Sequence, residues 1–357
     1  MLARRQFLLQ LTALALPLPL WAANPHSASS TPLLLSASWD DARSKVPGQL
    51  HSLGDAAAPA VSLPGRGHGI VPLPNGQAIV VSRRLGAWLA KIDWRQGLVL
   101  QVIEAEFDRQ FFGHAILTPD GKTLITTEND GETGQGVLGL YSVETLQRLG
   151  EIPSHGIGPH ELIWLEQGKI LAVANGGVLT LPETGRRKLN LAVMQPNLAV
   201  LDWPSGRLNN TYHLPDQTLS IRHLARAADG RLGIALQAES TSAAAQRDAP
   251  LLAIFSQGKL QLAEPVDGLQ GYGASIAAVG NTFLVSALKA NTIASWHSGG
   301  AALAPLAMAR PAGIASDGQQ AWISSETGML AHYSANTHTL TPLPSHRLRW
   351  DNHLVLA

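Results

Sequence analysis

The chain contains no cysteine. That excludes a disulfide framework, a thiolate metal centre and a cysteine-linked lipid anchor, so stability has to come from a large apolar core. Charge is also sparse: 15% of the 357 residues are Asp, Glu, Lys or Arg, and the 26 basic side chains are matched by 26 acidic ones. No basic field is available, so nucleic acid is not an expected partner. The apolar run near the start is short and is interrupted by Pro17 and Pro19. Those prolines argue against a permanent membrane anchor and against a buried N-terminal helix.

Familiar site motifs fail when checked letter by letter. His160-Glu161 opens like a zinc-protease helix, but Trp164 stands where the second histidine belongs. Gly156 and Gly158 lack the third glycine and the preceding strand of a dinucleotide fingerprint. The "DGKT" at 120–123 has no upstream phosphate-loop glycine, and "GASIA" at 273–277 has Ala277 where a nucleophile elbow needs glycine. The carboxylate-rich "ENDGETGQG" at 128–136 does not have EF-hand spacing, which leaves a solvated turn.

The first residues that carry information are "MLARRQFLLQLTALALPLPLWAANP". Arg4-Arg5, then Phe7-Leu8, an apolar stretch and Ala22-Ala23 read as a twin-arginine export signal over residues 1–23, cleaved near Ala22 or Ala23. The expected location is the bacterial periplasm. Because that route carries folded protein, the signal hints at folding or cofactor insertion before transport. The mature chain keeps 24 of the 26 basic residues, for a net charge near −2. It begins with a flexible segment, 24–31, and leaves about 330 residues, ample for one core.

That core is organised by a repeat. "GHGIVPLPNGQAIVVS", "GHAILTPDGKTLITTE", "PHELIWLEQGKILAVA", "RHLARAADGRLGIALQ", "YGASIAAVGNTFLVSA" and "RPAGIASDGQQAWISS" each show a short apolar segment, a turn ending in glycine and a second apolar segment. Two further strand-like runs follow each copy, which makes a four-stranded antiparallel unit of about 40–50 residues, the size of a propeller blade. The 34 glycines and 22 prolines suit short strands and turns, and long helices are not expected. A seventh blade comes from the two ends: "PLLLSASW", "GQLHSLG" and "APAVSLP" lack an inner partner, and "RWDNHLVLA" supplies one. The fold class is therefore all-β, a single closed seven-bladed β-propeller over residues 32–357. Two insertions, "TLPETGRRKLNLAVMQ" and "STSAAAQRDAP", fall between second and third strands. Tryptophans such as Trp39, Trp94, Trp164, Trp203, Trp322 and Trp350 are expected to pack between blades.

Aligned on the turn glycine, one position is occupied by His68, His114, His160, His223, Gly273, Pro311 and, by analogy, His353. Five of the chain's 13 histidines share this register. Inner strands line a propeller's channel, so these imidazoles should gather at one mouth. The ends of the second strands return to the same face. They read Arg83-Arg84, Glu128-Asn129-Asp130, Asn175, Glu239, Lys289, Glu326 and Asp40-Asp41. Arg83, Glu128, Asn175 and Arg222 are the candidates for touching a bound cofactor. Neutral imidazoles suit a transition ion such as iron, copper, zinc or nickel better than calcium or magnesium. Two other readings stay open: a channel of ordered water, and an organic anion held by histidines with Arg83 and Arg222.

The stretches "SHGIGPHEL", "LAVANGG", "LPETGRRKLNLAVMQPNLAVLD", "SIRHLA" and "TEND" followed by "GVLGLYSVE" closely resemble domain-of-unknown-function family 1513, a family of exported bacterial proteins. The resemblance spans essentially all of the mature chain. It implies a propeller of the YVTN or quinoprotein-like type and a place in periplasmic iron or metal handling. Imelysin-type proteins and di-haem peroxidase-like proteins are the implied partners. It supplies no catalytic residues. The expectation is thus a monomeric binding or accessory protein that holds iron, copper or a metal chelate. The alternatives are a metal-assisted enzyme, either a lactonase-like hydrolase or an oxidoreductase, and a ligand-free interaction platform.

Overall fold

Each repeated stretch turns back on itself at its glycine. Gly76, Gly121, Gly168, Gly230, Gly280 and Gly318 all have positive φ, between 55° and 88°, a conformation that glycine adopts without a Cβ penalty. The flanking apolar segments pair as antiparallel strands, for example Gly67–Leu73 with Gln77–Ser82 and Pro159–Glu166 with Ile170–Asn175. Two more strands follow in each unit, and the result is seven separate four-stranded antiparallel sheets. This computed structural model describes residues 32–39, 48–55, 57–240 and 242–357. The expected export signal at 1–23, the segment 24–31 and Asp40-Asp41 lie outside the described residues.

The seventh blade is built from both ends of the chain. Leu34–Ser38, Gln49–Leu53 and Val61–Ser62 pair in order, and Trp350–Leu356 adds to Leu34–Ser38 as the inner strand. The seven inner strands touch their neighbours all the way round, so the ring is closed. The propeller expected from the repeat, with its C-terminal clasp, is the fold.

The core lies between blades, in seven clusters that each straddle one pair of neighbours. Ile79 and Val81 of the first blade meet Phe111 and Tyr141 of the second. Trp322 and Leu330 of the sixth meet Trp350 and Leu354 of the seventh. A single blade thus exposes two apolar faces and depends on both neighbours to bury them. Trp94, Trp164, Trp203, Trp322 and Trp350 sit in these clusters as expected. Trp39 does not: the Arg66 guanidinium stacks on its ring at 4.1 Å and that of Arg349 at 5.4 Å.

Both insertions lie where the sequence suggested. The first carries the turns Pro182–Thr184 and Leu191–Val193, and the second the short helix Ala243–Arg247. No helix among the described residues is long and apolar enough to cross a membrane.

Candidate functional site: a buried imidazole cluster

In every blade the pairing of the inner strand breaks near its start. Register shifts occur at Gly67/Ile70, Phe111/Ala115, Pro159/Leu162, Ile221/His223, Gly273/Ile276 and Pro311/Ile314, and where the C-terminal strand crosses Ser36/Ser38. A bulge leaves residues unpaired and re-aims their side chains, here toward the channel axis. His68, His114, His160 and His353 fall in unpaired stretches, and His223 closes its own.

In the fifth and sixth blades, Gly273 and Pro311 pair with Ala287 and Ser325, just as Gly67 pairs with Ser82 and Pro159 with Asn175. The positions equivalent to His68 and His160 are therefore Ala274 and Ala312, one residue beyond those obtained by counting from the turn glycine. The count slips because bulge and hairpin loop do not keep the same length in every blade. Both alanines are fully buried.

The five imidazoles converge. Nε2 of His353 lies 3.1 Å from Nε2 of His114 and 3.2 Å from Nε2 of His68. Nε2 of His160 lies 3.2 Å from Nε2 of His223, and the His114 and His160 ring centres are 4.5 Å apart. His68, His114 and His160 form one set, and His114, His223 and His353 another, whose nitrogens all lie within 4.8 Å of one another. Between two neutral imidazoles at such a distance only one proton can be shared. His353 Nε2 faces two such nitrogens and can satisfy one of them with a proton. Nδ1 of His114 and Nδ1 of His160 are buried without any hydrogen-bond partner.

Two carboxylates orient the rings. Asp351 Oδ1 is 2.5 Å from His68 Nδ1, and its other oxygen accepts from Arg66 at 2.6 Å. Glu161 Oε2 lies 3.1 Å from His223 Nδ1 and accepts from the Leu224 amide at 3.0 Å. This is the arrangement in which an outer carboxylate leaves Nε2 free for a ligand. Burial, and then the neighbouring imidazoles, hold His114, His160 and His353 well below the ordinary histidine value. Burial also lowers His68, although Asp351 pulls the other way. These four rings are neutral at neutral pH and offer lone pairs rather than charge.

The cluster sits between two cavities. Toward the later residues of the inner strands, a cavity of about 280 Å³ is lined by Glu161, His223, Ser275, Ile314 and His353, on the side where the histidine set is interrupted. Toward the mouth, Arg83 and Arg222 line a second cavity with His68, His160 and His223.

Glu128 and Asn175 are a correction, because neither side chain reaches the cluster. Glu128 is fully buried in the second blade, where it accepts from Arg148 at 2.7 Å and from Thr126 at 2.5 Å. Asn175 donates to the Ser154 carbonyl at 2.8 Å and to Asn197 at 3.0 Å, tying its strand to the loops beside it. Glu326 is engaged with Arg310, and the Lys289 ammonium lies 5.0 Å over the Tyr272 ring. Asp351 and Arg66 were missed by the sequence reading. The "WDNH" that places Asp351 two residues before His353 is the only local hint of the first.

The fold and site define a seven-bladed β-propeller in which five imidazoles from the inner strands converge. Residues 61–357 match the family described as Protein of unknown function (DUF1513), and the chain belongs to that family. A search of the curated proteins returns no match. Among solved structures, hydrazine synthase of Kuenenia stuttgartiensis is similar over 84% of this chain and 90% of its own, with a TM-score of 0.58 and 11% identity. At that identity the likeness is one of fold.

Proposed function

We propose that this chain is a periplasmic binding protein that holds a transition-metal ion, iron or copper first among them, or its chelate, on the five-imidazole cluster. Its role is then to present the metal to partner proteins of iron or metal handling. The observation that carries the reading is the approach of His353 Nε2 to Nε2 of His114 at 3.1 Å and to Nε2 of His68 at 3.2 Å, within a cluster whose sets His68, His114, His160 and His114, His223, His353 each bring three nitrogens within 4.8 Å of one another. Metal–nitrogen bonds of about 2.0–2.1 Å give a tetrahedron whose nitrogens are about 3.3 Å apart, close to these separations. A cation accepts several lone pairs at once, which a shared proton cannot. The carboxylates on His68 and His223 and the lowered values of His68, His114, His160 and His353 support the same reading.

A lactonase-like enzyme would want a channel ion held mainly by carboxylates and amides, and here the converging atoms are imidazole nitrogens, so binding is favoured over turnover. Equilibrium dialysis of metal-free protein against copper, iron, zinc and nickel tests the proposal. At least one ion should bind the wild type and be lost when His114→Ala, His160→Ala and His223→Ala are combined. Equal uptake by both proteins would return the cluster to a water-filled structural channel.

A further inference from the structure

The mouth side of the cluster gathers guanidinium groups that the metal reading does not use. Arg83 and Arg84 follow the second strand of the first blade, Arg222 precedes His223, and Arg186 is delivered by the insertion in the third blade. All four line one cavity of about 60 Å³ together with His160 and Tyr272. Carboxylates there are few and already engaged. Glu239 accepts from Arg222 at 2.9 Å and also pairs with Lys188, while Asp351 is held by Arg66 and His68. Among the described residues, no ion pair involves Arg83, Arg84 or Arg186. Nη1 of Arg84 and Nε of Arg222 are buried without a hydrogen-bond partner, and Arg222 as a whole is only 3% exposed.

We propose that this cavity binds a small oxyanion, a carboxylate or phosphate group, held by Arg83, Arg84, Arg186 and Arg222 beside the imidazole cluster. Guanidinium groups present planar pairs of N–H donors that match two oxygens of such a group, and the unpartnered nitrogens of Arg84 and Arg222 are donors of that kind. Like charges packed this closely repel. Burial, then Arg222 and Arg186, push Arg84 down to about 9, and an anion among them reverses the sign of that interaction. The cavity has room for the oxyanion head and for little else, so any larger body of the ligand extends past Arg186, which is exposed at the rim. The site does not depend on metal binding, because none of its four arginines is a proposed metal ligand.

The experiment is calorimetric titration of the metal-free full chain with inorganic phosphate and, separately, with oxalate at constant ionic strength. It is repeated on Arg84→Gln and on Arg186→Gln. Saturable binding of at least one probe is expected, weakened about tenfold or more by each substitution, as loss of a charged hydrogen bond implies. Binding of phosphate alone assigns the site to phosphate groups, of oxalate alone to carboxylates, and of both to oxyanions in general. Arg186 is exposed on a loop, so Arg186→Gln serves if Arg84→Gln does not fold. No saturable binding of either probe, or binding unchanged by the substitutions, overturns the proposal. Since no metal is present, neither result bears on the imidazole reading.

Discussion

Asp351 is fully buried, and burial alone would raise its pKa, but His68 and Arg66 hold it well below the usual carboxylate value. It is charged, and it satisfies a cation on one oxygen and an imidazole on the other. Asp351→Asn keeps the shape and removes the charge, leaving a mostly buried Arg66 without its partner. A loss of about 3 kcal/mol is expected in chemical denaturation, in line with breaking a buried pair from one side. A second prediction concerns the histidines. His68, His114, His160 and His353 have folded values below 6.5, so below that pH the unfolded chain takes up protons that the folded chain refuses. Stability is therefore full above about pH 6.5 and falls as the pH drops toward the folded values. The melting temperature of metal-free protein should decline between about pH 6.5 and 5, and less steeply in the triple alanine variant, which lacks His114 and His160 of these four. A flat profile would mean that the rings are solvated rather than buried.

At the level of elements, the bulge that aims the histidines also brings inner strands very close. Gly113 has a φ of +102°, and a Cβ there would stand 2.6 Å from Cδ2 of His68. Gly113→Ala combines backbone strain with a displaced His68 ring, so a loss of about 1–3 kcal/mol is expected, with weakened metal uptake although no ligand is removed. Thermal unfolding and dialysis on the same sample check both parts. Hairpins and blades were legible in the sequence because a turn glycine and its flanking apolar runs are local signals, repeated copy after copy. The histidine register was legible for the same reason. The bulges left no compositional trace, which is why Ala274 and Ala312 were misplaced by one residue. Arg186 and Asp351 escaped notice because an insertion and the chain's last strand bring them to the cluster from elsewhere, and distance in sequence hides such meetings. Glu128 and Asn175 misled in the opposite sense. The ends of second strands do reach the mouth, but nearer partners, Arg148 and Asn197, claim these two side chains.

For the whole molecule, the ring distributes its core over seven interfaces, so no blade is independent of the closure. Among the described residues, the strand Trp350–Leu356 is what the C-terminal end contributes to the seventh blade's sheet, and it carries Trp350 and Leu354 into the cluster shared with the sixth. It also contributes Asp351 and His353 to the imidazole site, so closure of the ring and completion of the site are one event. Deleting residues 350–357 removes that strand, uncovers the ladder edge of Leu34–Ser38 and opens the apolar faces of the first and sixth blades. The expected outcome is a large fall in melting temperature, or loss of the cooperative transition, with self-association through the exposed edge visible in size-exclusion chromatography. Leu354→Ala provides the graded version. It leaves the backbone ladder in place and removes one buried side chain, which should lower stability by about 2–5 kcal/mol. A truncated chain that melts at the wild-type temperature would show that the blades hold together without the clasp. The convergence of His353 on His114 and His68 would then be a consequence of the ring and no part of what keeps it shut.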